Sequence, residues 1–369
     1  MWDEFEKFKN TVKLDNNLVS NDSFGDLYQL FLAKKGNSVI DGEYYTPKPI
    51  VSILLSLIKP TKGLLLDPSC GTGGMFVQCA ELLNTSDLTF YGIEKNELPA
   101  ELARLNLKNN NMNGTIVTAS TYYKDPLDMV GKFDFILANP PYNVKDIDAI
   151  KLRQDTRLPF GMPPFSSKQK ILNGNYLWLS YFYSYLNEHG KAACVMPSQT
   201  SAGSIFFADY KKKLIESQSI EMIIALSRCF FKYTSVPCEL WIIDKNVNRP
   251  NRDKVLFINM ENYKVKNYSI DYENEIMDIV NFYRNNPEST INIAEKAKSI
   301  KISDLGKNNY WLTPRFHIDI KEQEIIGNAD ERLMEIDNEL ALLEEESIIL
   351  RKELESNFGN HTINTFAIG

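Results

Sequence analysis

LLLDPSCGTGGMF, residues 64–76, runs as a strand into a turn and out again as a helix. Three leucines lead to Asp67, and Gly71, Gly73 and Gly74 make a tight turn. The apolar run MFVQCAELLN, from Met75, then has the length and composition of a helix. Glycines let a backbone pass close to a ligand, and a helix start offers unpaired N–H groups. The spacing is DxxxGxG; GxGxxG and GK[ST] are both missing here, which disfavours a Walker-type ATP site. A merely structural turn has the same letters, so the loop needs company before it can be called a site.

Outward from it the chain alternates. Strand-length apolar runs are FYGI (90–93), TIVTA (115–119), FDFILA (133–138), KAACVMP (191–197), MIIAL (222–226), ELWIID (239–244) and VLFIN (255–259), with helix-like stretches such as ELPAELARLNLKNNN between several of them. That order predicts an α/β fold with a mostly parallel, doubly wound sheet, whose ligands sit beyond the carboxyl ends of the strands.

Composition narrows the function. At 43% hydrophobic and 24% charged, the 369 residues suit an ordinary globular protein. MWDEFEKFKN has no signal-peptide core, and no apolar run approaches about 18 residues, so a cytoplasmic protein without membrane spans is expected. Five scattered cysteines (70, 79, 194, 229, 238) and three histidines argue against a metal site, a disulfide framework or a His-based triad. The net charge of −7 is concentrated: residues 321–357 hold twelve acids against four bases, a net of −8, leaving +1 for the rest of the chain. Such a body lacks the basic excess needed to hold duplex DNA unaided, so a nucleic-acid enzyme of this kind needs a partner.

Two further motifs converge on the glycine loop. Glu94 ends the next strand in YGIEKN, 27 residues after Asp67, where an acid can accept hydrogen bonds from a ribose diol. Asn139-Pro140-Pro141-Tyr142 follows FDFILA, and proline both ends a ladder and holds the preceding residue extended. The Asn139 side-chain oxygen and the Pro140 carbonyl can accept both hydrogens of an exocyclic adenine amine, whose lone pair then faces an electrophile without any strong base. Tyr142 offers a ring on which an extruded base can stack, worth about 1–3 kcal/mol.

With these residues the chain resembles the modification (M) subunit of type I restriction-modification systems, a gamma-order S-adenosylmethionine-dependent DNA adenine-N6 methyltransferase. GEYYTP (42–47), DPSCGTGG, NPPY, NEHGKAACVMPS (187–198), RCFFKYTSV (228–236) and YWLTPRF (310–316) fall in the family's order, over residues 42 to 357. The resemblance implies a Rossmann-like methyltransferase sheet with a C-terminal helical, coiled-coil-like tail. It implies S-adenosyl-L-methionine held by Tyr45, Thr46, Pro47, Asp67, Pro68, Ser69, Gly71, Thr72, Gly73, Glu94, Ser120 and Asn139. Asn139, Pro140, Pro141 and Tyr142 become the catalytic set, with Phe231 as a second stacking ring. Double-stranded DNA and a specificity (S) subunit are the implied partners, and a restriction (R) subunit is left open. Where the family has an acid after the next strand, VTASTYY has Ser120, so either the cofactor is held more weakly or Asp125 substitutes.

The domain reading is a short helical lead-in over 1–41, a catalytic domain over 42–262 with a substrate-facing loop at 143–174, and a helical and linking region over 263–320. An acidic heptad helix (321–357) and a flexible tail (358–369) follow. The loop carries six Lys/Arg against three Asp. Leu333, Ile336, Leu340, Leu343, Leu350 and Leu354 keep 3-4 spacing, with Ser347 in the one polar core position; 330–357 is the segment expected to dock on the S subunit. A glutamine-N5 protein methyltransferase shares NPPY for an equally unreactive amide, and a non-catalytic scaffold would keep the fold. GEYYTP, the basic loop and the heptad helix favour the DNA enzyme over the protein methyltransferase; the scaffold reading rests on the missing acid at Ser120, and a cofactor-binding titration separates it.

Overall fold

The computed structural model describes residue 7 and residues 46–202, 205–227, 236–263, 270–307 and 310–319. The chain falls into two compact units, Met1–Asp319 and Ile320–Gly369. The heptad segment and tail lie outside the described residues, as does the N-terminal lead-in apart from Lys7.

Among the described residues ten strands form one sheet in the order β3-β2-β1-β4-β5-β7-β6-β8-β10-β9. The first five are β1 (Gly63–Asp67), β2 (Leu88–Glu94), β3 (Gly114–Thr118), β4 (Phe133–Ala138) and β5 (Leu186–Pro197). They are followed by β6 (Ile220–Ala225), β7 (Cys238–Asp244), β8 (Lys254–Asn259), β9 (Asn292–Ile293) and β10 (Ala297–Lys301). All eight strands expected from the apolar runs are present. β7 runs antiparallel to β5 and β6, and β10 antiparallel to β8 and β9; the other pairings are parallel. The region 263–320, expected to be helical and linking, is therefore part of the sheet as well: Ala297–Lys301 pairs along β8. Its alternation over five residues is too short to stand out from the polar sequence around it.

Side chains of a strand alternate between faces, and each face here has its own core. Leu65, Phe90, Leu137, Val195 and Leu240 pack on one side with α1 (Lys48–Ile58), α2 (Gly74–Leu82), α3 (Glu97–Asn109) and α7 (Ile270–Asn285). Leu66, Ile93, Ile136, Cys194 and Trp241 pack on the other with α4 (Asn175–Tyr185), α6 (Ala208–Glu216) and α8 (Ile302–Lys307). The short α5 is Gln199–Ala202. Both faces of the central strands are buried, which is why they are nearly continuous apolar runs. Each large apolar side chain removed from water there contributes about 1.5–3 kcal/mol.

The chain enters the sheet at β1, winds outward to β3, then crosses back to β4 on the other side of β1. The resulting switch point opens a crevice at the carboxyl ends of β1 and β4. Asp67, Glu94 and Asn139 all come to that edge because each is the last residue of its strand or the one after it. The antiparallel β7 begins there, since Cys238 is opposite Pro197.

The 143–174 segment is folded against the domain. Ile147, Leu152, Phe160 and Ile171 are buried in the second core, and short bridges join Asp148 to Lys170 and Phe165 to Ile171. A buried ion pair, Arg157 to Asp155 at 2.7 Å, anchors it, with the Arg157 guanidinium 4.4 Å from the Tyr181 ring centre and Nη1 donating to Tyr185 Oη at 3.1 Å. Among the described residues no helix is long and apolar enough to cross a membrane, and no cluster of His, Cys, Asp or Glu could hold a metal ion.

Candidate active site

The glycine turn is held by its own backbone and by two acids. Asp67, 3% exposed, accepts from Ser69 N at 2.9 Å and Ser69 Oγ at 3.3 Å through one carboxylate oxygen. Glu94, also buried, accepts from Gly71 N at 3.2 Å and from Asn96 N at 2.7 Å, so the end of β2 braces the loop leaving β1. Gly71 (φ +54°) and Gly73 (φ +77°) take left-handed angles that favour glycine. A side chain built on Gly71 meets nothing within 4 Å, whereas one on Gly73 meets Ala103 Cβ at 3.3 Å. Gly71 thus fronts open space and Gly73 packs against α3.

Burial pushes the Asp67 carboxyl up to about 7, against the pull of the Ser69 donors, and the Glu94 charge adds to the rise. Two buried acids beside an open glycine turn suit a ligand that brings a cation to one and a diol to the other.

Two residues outside the expected set shape this loop. Asn106 on α3, 1% exposed, donates from Nδ2 to the Thr72 carbonyl at 2.9 Å. It breaks the apolar stripe of Leu98, Leu102, Ala103 and Leu107, and that interruption is the signal sequence reading could have used. Thr121 donates to the Pro68 carbonyl, tying the segment after β3 to the loop and leaving its neighbour Ser120 half-buried. Asp125 is no substitute acid: its carboxylate accepts from Leu127 N at 3.0 Å, Met129 N at 2.7 Å and Tyr185 Oη at 2.8 Å, all within the fold.

Across the switch point, Asn139 follows β4 and leads into Pro140-Pro141-Tyr142. Its Nδ2 donates to Thr46 Oγ1 at 3.0 Å, and its Oδ1 accepts from Tyr142 Oη at 2.6 Å. Cys238, at the start of β7, has its sulfur 3.8 Å from Tyr142 Oη, and burial raises its thiol to about 12. The turn is clamped from behind by Asn175, fully buried at the start of α4. Its Oδ1 accepts from Asn143 N at 2.8 Å, and its Nδ2 donates to Asn143 Oδ1 at 3.0 Å and Thr200 Oγ1 at 3.1 Å.

Thr46 and Pro47 lie at the entrance to α1, with Pro47 as N-cap and the Thr46 carbonyl accepting from Gln78 Nε2 of α2 at 3.0 Å. The structure therefore brings together Thr46, Pro47, Asp67, Pro68, Ser69, Gly71, Thr72, Gly73, Glu94, Ser120, Asn139, Pro140, Pro141 and Tyr142 along one edge. Tyr45 and Phe231 lie outside the described residues.

The family model described as N-6 DNA Methylase matches residues 19–325. The type I restriction enzyme MjaIX methylase subunit of Methanocaldococcus jannaschii is 30% identical over 354 residues, covering 90% of this chain and 62% of that protein. The type I restriction enzyme HindI methylase subunit of Haemophilus influenzae is 28% identical, covering 93% of this chain and 79% of that protein. A solved type I restriction-modification system methyltransferase subunit from Streptococcus thermophilus superposes with a TM-score of 0.67 at 25% identity, over 83% of this chain and 66% of that one. The chain thus spans less than two thirds of the first of these relatives.

Proposed function

The chain belongs to the N-6 DNA methylase family, and from that premise we propose that it transfers a methyl group from S-adenosyl-L-methionine to the N6 amine of adenine in double-stranded DNA, as the catalytic subunit of a cytoplasmic type I restriction-modification complex. The observation that carries the reading is the meeting of two half-sites at one switch point. The Asp67–Glu94 glycine loop lies on one side and Asn139-Pro140-Pro141-Tyr142 on the other.

The first half fits the cofactor. Asp67 would take its ammonium, Glu94 its ribose hydroxyls, and the backbone at Gly71, where a side chain would project into open space, its close approach. Thr46, Pro47, Pro68, Ser69, Thr72 and Ser120 are assigned to the same ligand along this edge, with Gly73 packing the turn against α3 and Tyr45 assigned there by resemblance. When bound, the cofactor supplies an electrophilic methyl on a sulfonium. The second half handles the base. Asn139 Oδ1 and the Pro140 carbonyl accept the two N6 hydrogens and turn the nitrogen lone pair toward the methyl, while Pro141 keeps the backbone stiff. Tyr142 stacks on the extruded adenine, with Phe231 on its other face. The near-neutral body leaves the grip on DNA to an S subunit docked on 330–357, with or without an R subunit.

Incubating the complex isolated from its source cell with methyl-labelled cofactor and unmodified DNA tests this. The label is expected in N6-methyladenine after nuclease digestion. Label in N5-methylglutamine of protein digests, or in neither product, would overturn it.

A further inference from the structure

Thr46 is assigned to the cofactor by resemblance, yet its hydroxyl is turned to the catalytic amide. An asparagine amide is nearly symmetric in shape, with donors at one end and an acceptor at the other. The chemistry proposed above needs the oxygen end toward the target amine. Nδ2 of Asn139 meets Thr46 Oγ1 at 3.0 Å, and Oδ1 meets Tyr142 Oη at 2.6 Å.

The two partners differ in what holds them. Thr46 is 4% exposed, precedes Pro47, which restricts it to extended backbone, and has its carbonyl fixed by Gln78 Nε2 at 3.0 Å. Gln78 is itself buried on α2, the helix launched by the glycine turn. Tyr142 is half-buried, its hydroxyl at the end of a ring that also has to receive a base. That hydroxyl occupies the acceptor where the adenine amine would bind, and a carbonyl oxygen has two lone pairs for sharing or exchange. The fixed end of the amide is therefore the Thr46 end.

We infer that Thr46 is a positioning residue for Asn139: through Nδ2 it presents Oδ1 to the target amine, and it ties the catalytic amide to the helix behind the cofactor loop. This rests on the adenine-N6 reading of the same site. The threonine hydroxyl can donate or accept, so with it the amide is bonded in either orientation and the target amine selects the one with Oδ1 outward. Without it that orientation leaves Nδ2 facing a methyl group, whereas the flipped amide keeps Nδ2 on Tyr142 Oη with only its carbonyl under-satisfied. Asn139 is half-buried, and an unpaired donor there costs more than an under-satisfied carbonyl, enough to favour the wrong orientation by about fivefold or more.

The test compares Thr46→Val, which removes the hydroxyl, with Thr46→Ser, which keeps it, in the intact complex. The single-turnover rate of methyl transfer at saturating DNA and cofactor is expected to fall about fivefold or more in the valine variant and to return to within about twofold of wild type in the serine variant. Cofactor affinity by calorimetry should stay within about twofold in both. Separately, the Asn139 side-chain NH2 resonance, identified by its loss in Asn139→Asp, should exchange with solvent faster in the valine variant than in wild type or the serine variant. Thr46→Ala repeats the comparison without added bulk if valine disturbs packing. Loss of cofactor affinity in parallel with rate would make Thr46 a cofactor residue and overturn the inference. So would a serine variant as slow as the valine one, or exchange indifferent to the substitution. A wild-type complex that methylates no adenine would sink the functional reading, with the exchange comparison still deciding whether Thr46 holds the amide.

Discussion

Changing Asp67 to Asn should abolish the pH dependence of cofactor binding. The Asp67 carboxyl is 3% exposed, and burial lifts it to about 7 despite two hydrogen bonds from Ser69. A cationic amine is drawn to the carboxylate but not to the acid. With a pKa of about 7, roughly one molecule in eleven carries the charge at pH 6 and ten in eleven at pH 8, so affinity should rise about tenfold between them. Titration calorimetry of wild type and Asp67→Asn at pH 6, 7 and 8 reads this directly. The asparagine variant should bind at least as weakly as wild type does at pH 6, with no slope from this group. Stability gives an independent sign. The folded pKa lies above the unfolded one, so the contribution of this group is full below about pH 4 and is lost as pH rises through about 7. Asp67→Asn should therefore melt higher than wild type at pH 8 while binding less, the trade-off expected of a strained site. Equal wild-type affinity at pH 6 and pH 8, or an unchanged slope in the variant, would refute the assignment of Asp67 as the ammonium's partner.

Glu239, buried on β7, is lifted by burial to about 8 in spite of donors from Ser201 Oγ and Trp241 Nε1. Its contribution to stability is full below about pH 4.5 and is lost as pH rises through about 8, so Glu239→Gln should narrow the drop in Tm between pH 6 and pH 9, and an unchanged drop would contradict this. Arg157→Met strands the buried Asp155 and should cost about 3–5 kcal/mol in urea unfolding, with faster amide exchange across 143–174; a loss below about 1 kcal/mol would show that the ion pair is not what anchors that segment.

Much of this was legible in sequence because the central strands are buried on both faces and so appear as unbroken apolar runs. Asp67, Glu94 and Asn139 could be placed at one edge because each follows its run directly. Strand order was not legible, since nothing local in ELWIID says that β7 inserts antiparallel between β5 and β6. Strand β10, paired between β8 and the edge strand β9, was missed for want of a long apolar pattern. The 143–174 segment looks polar in its letters, yet Leu152, Phe160 and Arg157 are buried in it, a partnership with α4 that spacing does not encode. The backing residues Asn175, Asn106 and Gln78 are single polar side chains whose partners lie 25 to 34 positions away in another element. Only the interrupted stripe of α3 hinted at one of them.

The central claim is that Asn139 serves methyl transfer to adenine and is not there for the fold. Modification-sensitive sequencing of genomic DNA from source cells carrying the wild-type chain or Asn139→Ala, with equal protein levels verified, tests it most directly. The account predicts N6-methyladenine at one split recognition sequence in the wild type and its complete loss in the variant. The same methylation pattern in both would contradict it.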